Sequence, residues 1–160
     1  METWIVAPHP DDEIIGCYSQ LKAGQITGIA YFDVNGQPRE DEAIFFCAQN
    51  RLDRFMCLGS IDRFLDWLRS MKDNTLYLPS PTDDHYVHRG VFYTSILSRR
   101  TFGKMVERVY VYSTKMRDFY VHDCSDPQGK REWLERYYPS QASLWQFDYR
   151  YFLFEGVVKL

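Results

Sequence analysis

The sequence predicts an α/β domain built on a largely parallel sheet, and three observations predict it. Segments rich in β-branched and aromatic residues alternate with segments whose apolar residues recur every third or fourth place. Turn signals such as "NGQP" at 35–38 separate them. The chain has 160 residues, 45% of them hydrophobic, which suffices for one substantial core, so residues 1–160 are read as a single domain. Strands taking turns with helices favour parallel pairing, and such sheets carry their sites at the carboxyl ends of the strands.

"TWIVAP" (3–8) is a strand closed by Pro8, and "EIIGCYSQLKAG" (13–24) has helical spacing with Gly24 suited to the position just past a helix end. "QITGIAYFDV" (25–34) is the second strand. "REDEAIFFCAQNRLDRFMCLG" (39–59) keeps apolar residues near every third or fourth place and is read as one helix ending near Gly59. "IDRFLDW" (61–67) and "NTLYLPSP" (74–81) are read as short strands separated by a helical turn, "LRSMKD". "HRGVFYTSILSRR" (88–100) is helical, "RVYVYST" (108–114) is a strand, and "DPQGKREWLERYYPSQ" (126–141) is a helix started by Pro127. The apolar tail "YRYFLFEGVVKL" (149–160) reads as a closing strand.

A formal net charge of −3 provides no global basic field for a nucleic acid or an anionic membrane surface. Cys17, Cys47, Cys57 and Cys124 are widely spaced, which suits reduced thiols filling a core in a cytosol-like compartment. "METWIV" is too short and too acidic for a signal peptide, and no stretch approaches the ~20 apolar residues of a membrane span. The expectation is a cytoplasmic protein. The aromatic tail from Trp145 to Phe154 suits core packing or a subunit interface, so a homo-oligomer is an expected possibility.

Two loops carry the chemistry. In "VAPHPDDEIIGC" (6–17), His9, Asp11, Asp12 and Glu13 follow the first strand with no basic residue to neutralise them. One reading is an N-cap cluster at the start of a helix. "SPTDDHYVHR" (80–89) follows another strand and supplies His85 and His88 beside Asp83 and Asp84. Three of the four histidines thus fall in two loops on one sheet edge. A mixed histidine and carboxylate set is a normal ligand group for catalytic Zn²⁺, and a cation offsets the repulsion of crowded acids.

With those residues in view, the sequence resembles the PIG-L/LmbE-like de-N-acetylases, zinc amidases with a Rossmann-like fold. Their A-H-P-D-D-E loop stands here as "APHPDDE", with one extra proline, and their H-x-x-H loop as "HYVHR". "REDE" and "KREWLERYYPSQ" are similar to two further segments of that family, in the same order. The resemblance implies a short version of the family's three-layer sandwich. It also implies His9, Asp12 and His88 as metal ligands, Asp11 as general base, and His85 as the group that steadies the oxyanion or protonates the leaving amine. An alternative register makes His85 the ligand.

Val87 departs from the family, which often has an aspartate there to orient the other histidine; Asp83 and Asp84 are the candidate replacements. Arg39 is a candidate substrate-binding residue or a surface salt-bridge partner. Asp66, after the expected third strand, resembles a substrate-binding acid, and His122 reads as a surface or hydrogen-bonded structural histidine. The implied activity is zinc-dependent hydrolysis of an N-acylated amino sugar or its conjugate, with another divalent metal admissible. The rivals are a metal-dependent phosphoesterase and a non-catalytic carbohydrate-binding or interaction protein on the same fold.

Overall fold

The computed structural model describes residues 1–34, 36–56, 59–71, 73–102, 108–114, 122–145, 148 and 150–160. Its centre is a six-stranded sheet. In chain order the strands are β1 (Thr3–Ala7), β2 (Gly28–Tyr31), β3 (Asp53–Met56), β4 (Thr75–Pro79), β5 (Arg108–Tyr112) and, last, β8 (Val157–Lys159). A separate two-stranded ribbon pairs β6 (His122–Asp123) with β7 (Phe154–Glu155). The large sheet has the order β3-β2-β1-β4-β5-β8, parallel throughout except for antiparallel β8.

The helices are α1 (Asp12–Lys22), α2 (Arg39–Gln49), α3 (Ile61–Ser70), α4 (Tyr86–Phe102), α5 (Pro127–Tyr137) and the short α6 (Ala142–Trp145) and α7 (Arg150–Leu153). They cover both faces of the sheet. Because side chains alternate along a strand, Ile5 and Ala7 of β1 join one core with Ile14, Tyr18, Phe46 and Leu134 of α1, α2 and α5. Trp4 and Val6 join the opposite core with Phe64, Trp67, Val91 and Phe92 of α3 and α4. This is a Rossmann-like three-layer sandwich. Close approach matters at two points: a Cβ on Gly16 would lie 2.2 Å from the Tyr112 ring, and one on Gly28 would lie 2.6 Å from the Trp4 ring.

Three expected elements differ. The helix expected over 39–59 stops at Gln49, the chain turns through Arg51 at φ 54°, and "DRFM" pairs with β2 as β3. β3 is an edge strand whose side chains are exposed or half-buried, so it shows no clean alternation in the sequence. "IDRFLDW" is helical, not a strand: Ser60 accepts the Arg63 amide as N-cap, and Phe64 and Trp67 bury one face. The tail is divided among α7, β7 and β8.

Cys17, Cys47 and Cys124 are buried free thiols, while Cys57 lies outside the described residues. Among the described residues no helix is long and apolar enough to cross a membrane.

The strand order reverses between β1 and β4. The chain first builds outward from β1 through β2 to β3, then returns to lay β4 on the other side of β1. The helices that follow β1 and β4 therefore cover opposite faces, leaving a crevice where these two strands end. Ala7 and Pro79 end there, and both histidine loops start there.

Candidate metal centre

Past β1, Phe32 and Asp33 donate backbone hydrogen bonds to Ala7 and Pro8, which fixes where the loop leaves the sheet. His9 follows, and its amide donates to Asp12 Oδ2 at 2.9 Å. Asp11 takes φ 106°, a left-handed conformation that non-glycine residues avoid unless held in place. One hold is visible: its amide donates to Glu13 Oε2 at 3.1 Å, while its carbonyl accepts the Ile14 and Ile15 amides. Asp11 occupies the N-cap position of α1 but makes no side-chain cap, and its Oδ2 is buried without a hydrogen-bond partner. The capping role that its position allows is not taken.

The second loop is pinned by Asp83. This buried carboxylate accepts the Thr114 hydroxyl at 2.8 Å and the His85 amide at 2.8 Å. Arg89 donates to the carbonyls of Asp83 and Asp84 at 2.6 and 2.8 Å. α4 then starts at Tyr86, so His88 lies in its first turn and turns inward.

The loops meet in a small triangle of donor atoms. His9 Nδ1 and His88 Nε2 are 3.2 Å apart, and Asp12 Oδ2 lies 3.3 Å from the first and 3.2 Å from the second. Ligands held at about 2.1 Å in a tetrahedral zinc shell are about 3.4 Å apart, so this donor set has the spacing of one coordination face. His85 lies beside it: His9, His85 and His88 each bring one ring nitrogen within 4.8 Å of the others, a group that can hold a metal ion. His85 is exposed, edge-on to His9 and stacked on the exposed Tyr86 ring.

The electrostatics suit a cation. Burial alone would raise the Asp12 carboxyl, but the His88 charge and hydrogen bonds from His88 and His9 hold it well below the usual range. Burial alone would lower His88, but the Asp12 charge and the close oxygens of Asp12 and Asp83 push it up to about 10. Burial, then the charges of Asp12 and Glu13, drive Asp11 well above its ordinary value. Burial likewise takes Glu13 up to about 7, against the hydrogen bond from Tyr138. Packed acids that resist ionisation release protons when a cation enters.

The remaining candidates separate. Arg39 opens α2, donates to Gln141 Oε1, and is near enough for its charge to lower Asp11. Ser140 donates its amide to Glu42 at 2.8 Å, so the "PSQ" segment meets the start of α2 beside the site. Asp66 does not follow the third strand. It sits mid-way along α3, strongly exposed, paired with Arg69 at 2.6 Å. Because residues 61–70 form a helix, Asp66 falls on its exposed side and not at a strand end. His122 is exposed on β6, its ring against the Asp123 carbonyl.

The sequence groups Glu13 with the acids only as a cap, yet it is a buried anchor. Its Oε1 accepts the hydroxyls of Tyr31, at 3.1 Å, and of Tyr138. Tyr138 is 125 residues away in the chain, so no local spacing announces this contact. Thr114 has no signal beyond its place after β5.

No family model and no curated protein matches the chain. Among solved structures, the conserved protein TT1542 from Thermus thermophilus is similar to it, with a TM-score of 0.70 at 20% identity over 99% of this chain and 94% of that one. At that identity the likeness is one of fold, and it supports the Rossmann-like three-layer arrangement with its mostly parallel sheet.

Proposed function

We propose that this chain is a metal-dependent amidohydrolase that removes an acyl group, in the simplest case acetyl, from an N-acylated amino sugar or its conjugate. The observation that carries this reading is the triangle of His9 Nδ1, Asp12 Oδ2 and His88 Nε2 with an unpartnered Asp11 carboxylate oxygen beside it. His9, Asp12 and His88 would hold the metal. Zinc suits the mixed nitrogen and oxygen set best, and other divalent ions are admitted. A divalent ion held there would supply Lewis acidity to an acyl carbonyl and to water.

The chain's own residues supply the proton transfers. Asp11 Oδ2 has no competing hydrogen bond and takes a proton from the attacking water; its raised pKa makes it the stronger base once ionised. As the water oxygen bonds the acyl carbon and the C–N bond breaks, the leaving nitrogen needs a proton. His85 gives it, from an exposed ring at the rim of the cluster. Asp83 Oδ2 stands 3.0 Å from the far nitrogen of the His88 ring. Tyr86, exposed and stacked on His85, gives a sugar ring an apolar surface to rest on. The choice of an amino sugar rests on the resemblance of "APHPDDE" and "HYVHR" to the de-N-acetylases.

The test is to measure bound metal in protein purified without added metal, and then amine release from a panel of N-acetyl amino sugars. Bound zinc with release of amine and acetate is the expected result. Release of phosphate from phosphoesters instead would overturn the bond type. Sugar binding without turnover would make the protein a binding module.

A further inference from the structure

Helix α1 is broken in its middle. Cys17 sits at φ −132°, ψ 27°, outside the helical region. In an unbroken helix the Ser19 amide would donate to the Ile15 carbonyl. Here the Ser19 amide donates to Glu155 Oε1 at 2.9 Å, and the Ser19 hydroxyl donates to the other oxygen of the same carboxylate. The Ile15 carbonyl accepts Lys130 Nζ at 2.6 Å, and the same ammonium donates to the Phe154 carbonyl at 2.6 Å. One buried cation and one buried anion thus take up the two backbone groups that the break sets free.

Among the described residues neither side chain makes a further hydrogen bond. Lys130 is fully buried and Glu155 is 2% exposed; neither is among the donor atoms of the metal triangle. Burying both charges is costly unless the geometry repays it. What they flank is specific. Ahead of the break lie only residues 12–16 of α1, the segment that carries Asp12 and Glu13 and follows directly on Asp11. Gly16, at its end, is pressed against Tyr112, whose hydroxyl is tied to the Val6 carbonyl at 2.9 Å. The direction of a five-residue segment fixed at its far end is set by the bend there. Asp12 Oδ2 must meet His88 Nε2 within a few tenths of an ångström to complete the triangle, so that direction matters.

We propose that Lys130 and Glu155 are positioning residues, inserted at the break of α1 to aim its first turn, and with it Asp12, at His88. The proposal rests on the metal reading of the site. It assigns a role to the lysine of "KREWLERYYPSQ" that no donor atom of the site requires, and it joins the C-terminal ribbon to the metal centre through the hydrogen bonds at the helix break.

The test uses the full chain with Co(II) as probe, in wild type, Lys130→Met and Glu155→Gln. Three readouts are taken: Co(II) affinity, the Co(II) d–d absorption spectrum, and amide exchange of Ile14 and Ile15 in metal-free protein relative to amides of β1. Lys130→Met is expected to weaken Co(II) at least tenfold, alter the spectrum and speed the relative exchange of Ile14 and Ile15 at least tenfold. Glu155→Gln keeps an oxygen for the Ser19 amide and is expected to stay within about threefold of wild type.

A folded Lys130→Met protein with wild-type affinity, spectrum and exchange overturns the proposal. If Lys130→Met does not fold, Lys130→Met/Glu155→Gln removes both charges and is measured instead. Should that variant also fail to fold, the pair is a stability element and the positioning role falls. A wild-type protein that binds no Co(II) sinks the metal reading by itself, while the exchange data still decide whether the pair holds the first turn.

Discussion

The carboxylate of Asp83 reaches His88 from behind, with Oδ2 at 3.0 Å from the ring Nδ1, while the other ring nitrogen, Nε2, faces Asp12 and His9. Nε2 is the nitrogen that His88 turns toward the triangle. The placement of Asp83 answers what Val87 leaves open: the acid that approaches a site histidine stands five residues before His88 in the chain, not directly beside it, and it touches the ring of His88 and only the backbone amide of His85.

Asp83→Ala should therefore act through the metal. Loss of a carboxylate that orients a ligand histidine typically weakens metal binding ~10- to 100-fold. Competition titration with a chromophoric zinc chelator measures this. Unchanged affinity would mean that Asp83 serves only the loop, through Thr114 and His85.

Asp11→Asn should retain the metal and lose most turnover, by the ~10²- to 10⁴-fold typical of a general base. The side chain keeps its size, and the left-handed backbone is held by bonds that the substitution leaves alone. Metal content and kcat are measured together. Loss of metal with the fold retained would exchange the roles of Asp11 and Asp12.

His85→Ala should lower turnover strongly with metal retained, because the exposed ring stands outside the tight triangle. Metal loss would make His85 the ligand in place of His88. Val87→Asp should leave activity unchanged or higher, since Asp83 already fills the place behind His88. A large loss in that variant would show that the acid disturbs the loop.

Lys130 supplies a pH dependence whose sign can be worked out. Burial pushes it down from 10.5 to about 8, against the opposing charge of Glu155. Between these values the unfolded chain holds the proton that the folded protein has released, so the contribution of Lys130 to stability rises with pH through that window. Urea unfolding of wild type and Lys130→Met from pH 7.5 to 10.5 should show the difference moving in favour of wild type by about 3 kcal/mol. A flat difference would mean that Lys130 stays charged when buried. The comparison is made against the variant because buried Cys17 and Tyr31 are raised by burial and act in the opposite direction.

Local pattern is what the chain makes legible. The alternation of β-branched and amphipathic segments announces the α/β class, since side-chain period is a property of the backbone and survives without tertiary context. The two histidine loops are legible because each follows a buried strand, and a parallel sheet carries all its strand ends to one edge.

β3 is hidden because an edge strand with exposed or half-buried side chains has no apolar alternation, and the helix at 61–70 reads as a strand because a seven-residue window holds less than two full turns. The donor triangle depends on the reversal of strand order between β1 and β4, which sets His88 against a loop 79 residues earlier in the chain. Tyr138 on Glu13 and Lys130 at the break of α1 are contacts across 125 and 115 residues. The physical reason is common to all of them: a hydrogen bond to a distant residue is set by packing geometry, and leaves no period or spacing in the chain to read.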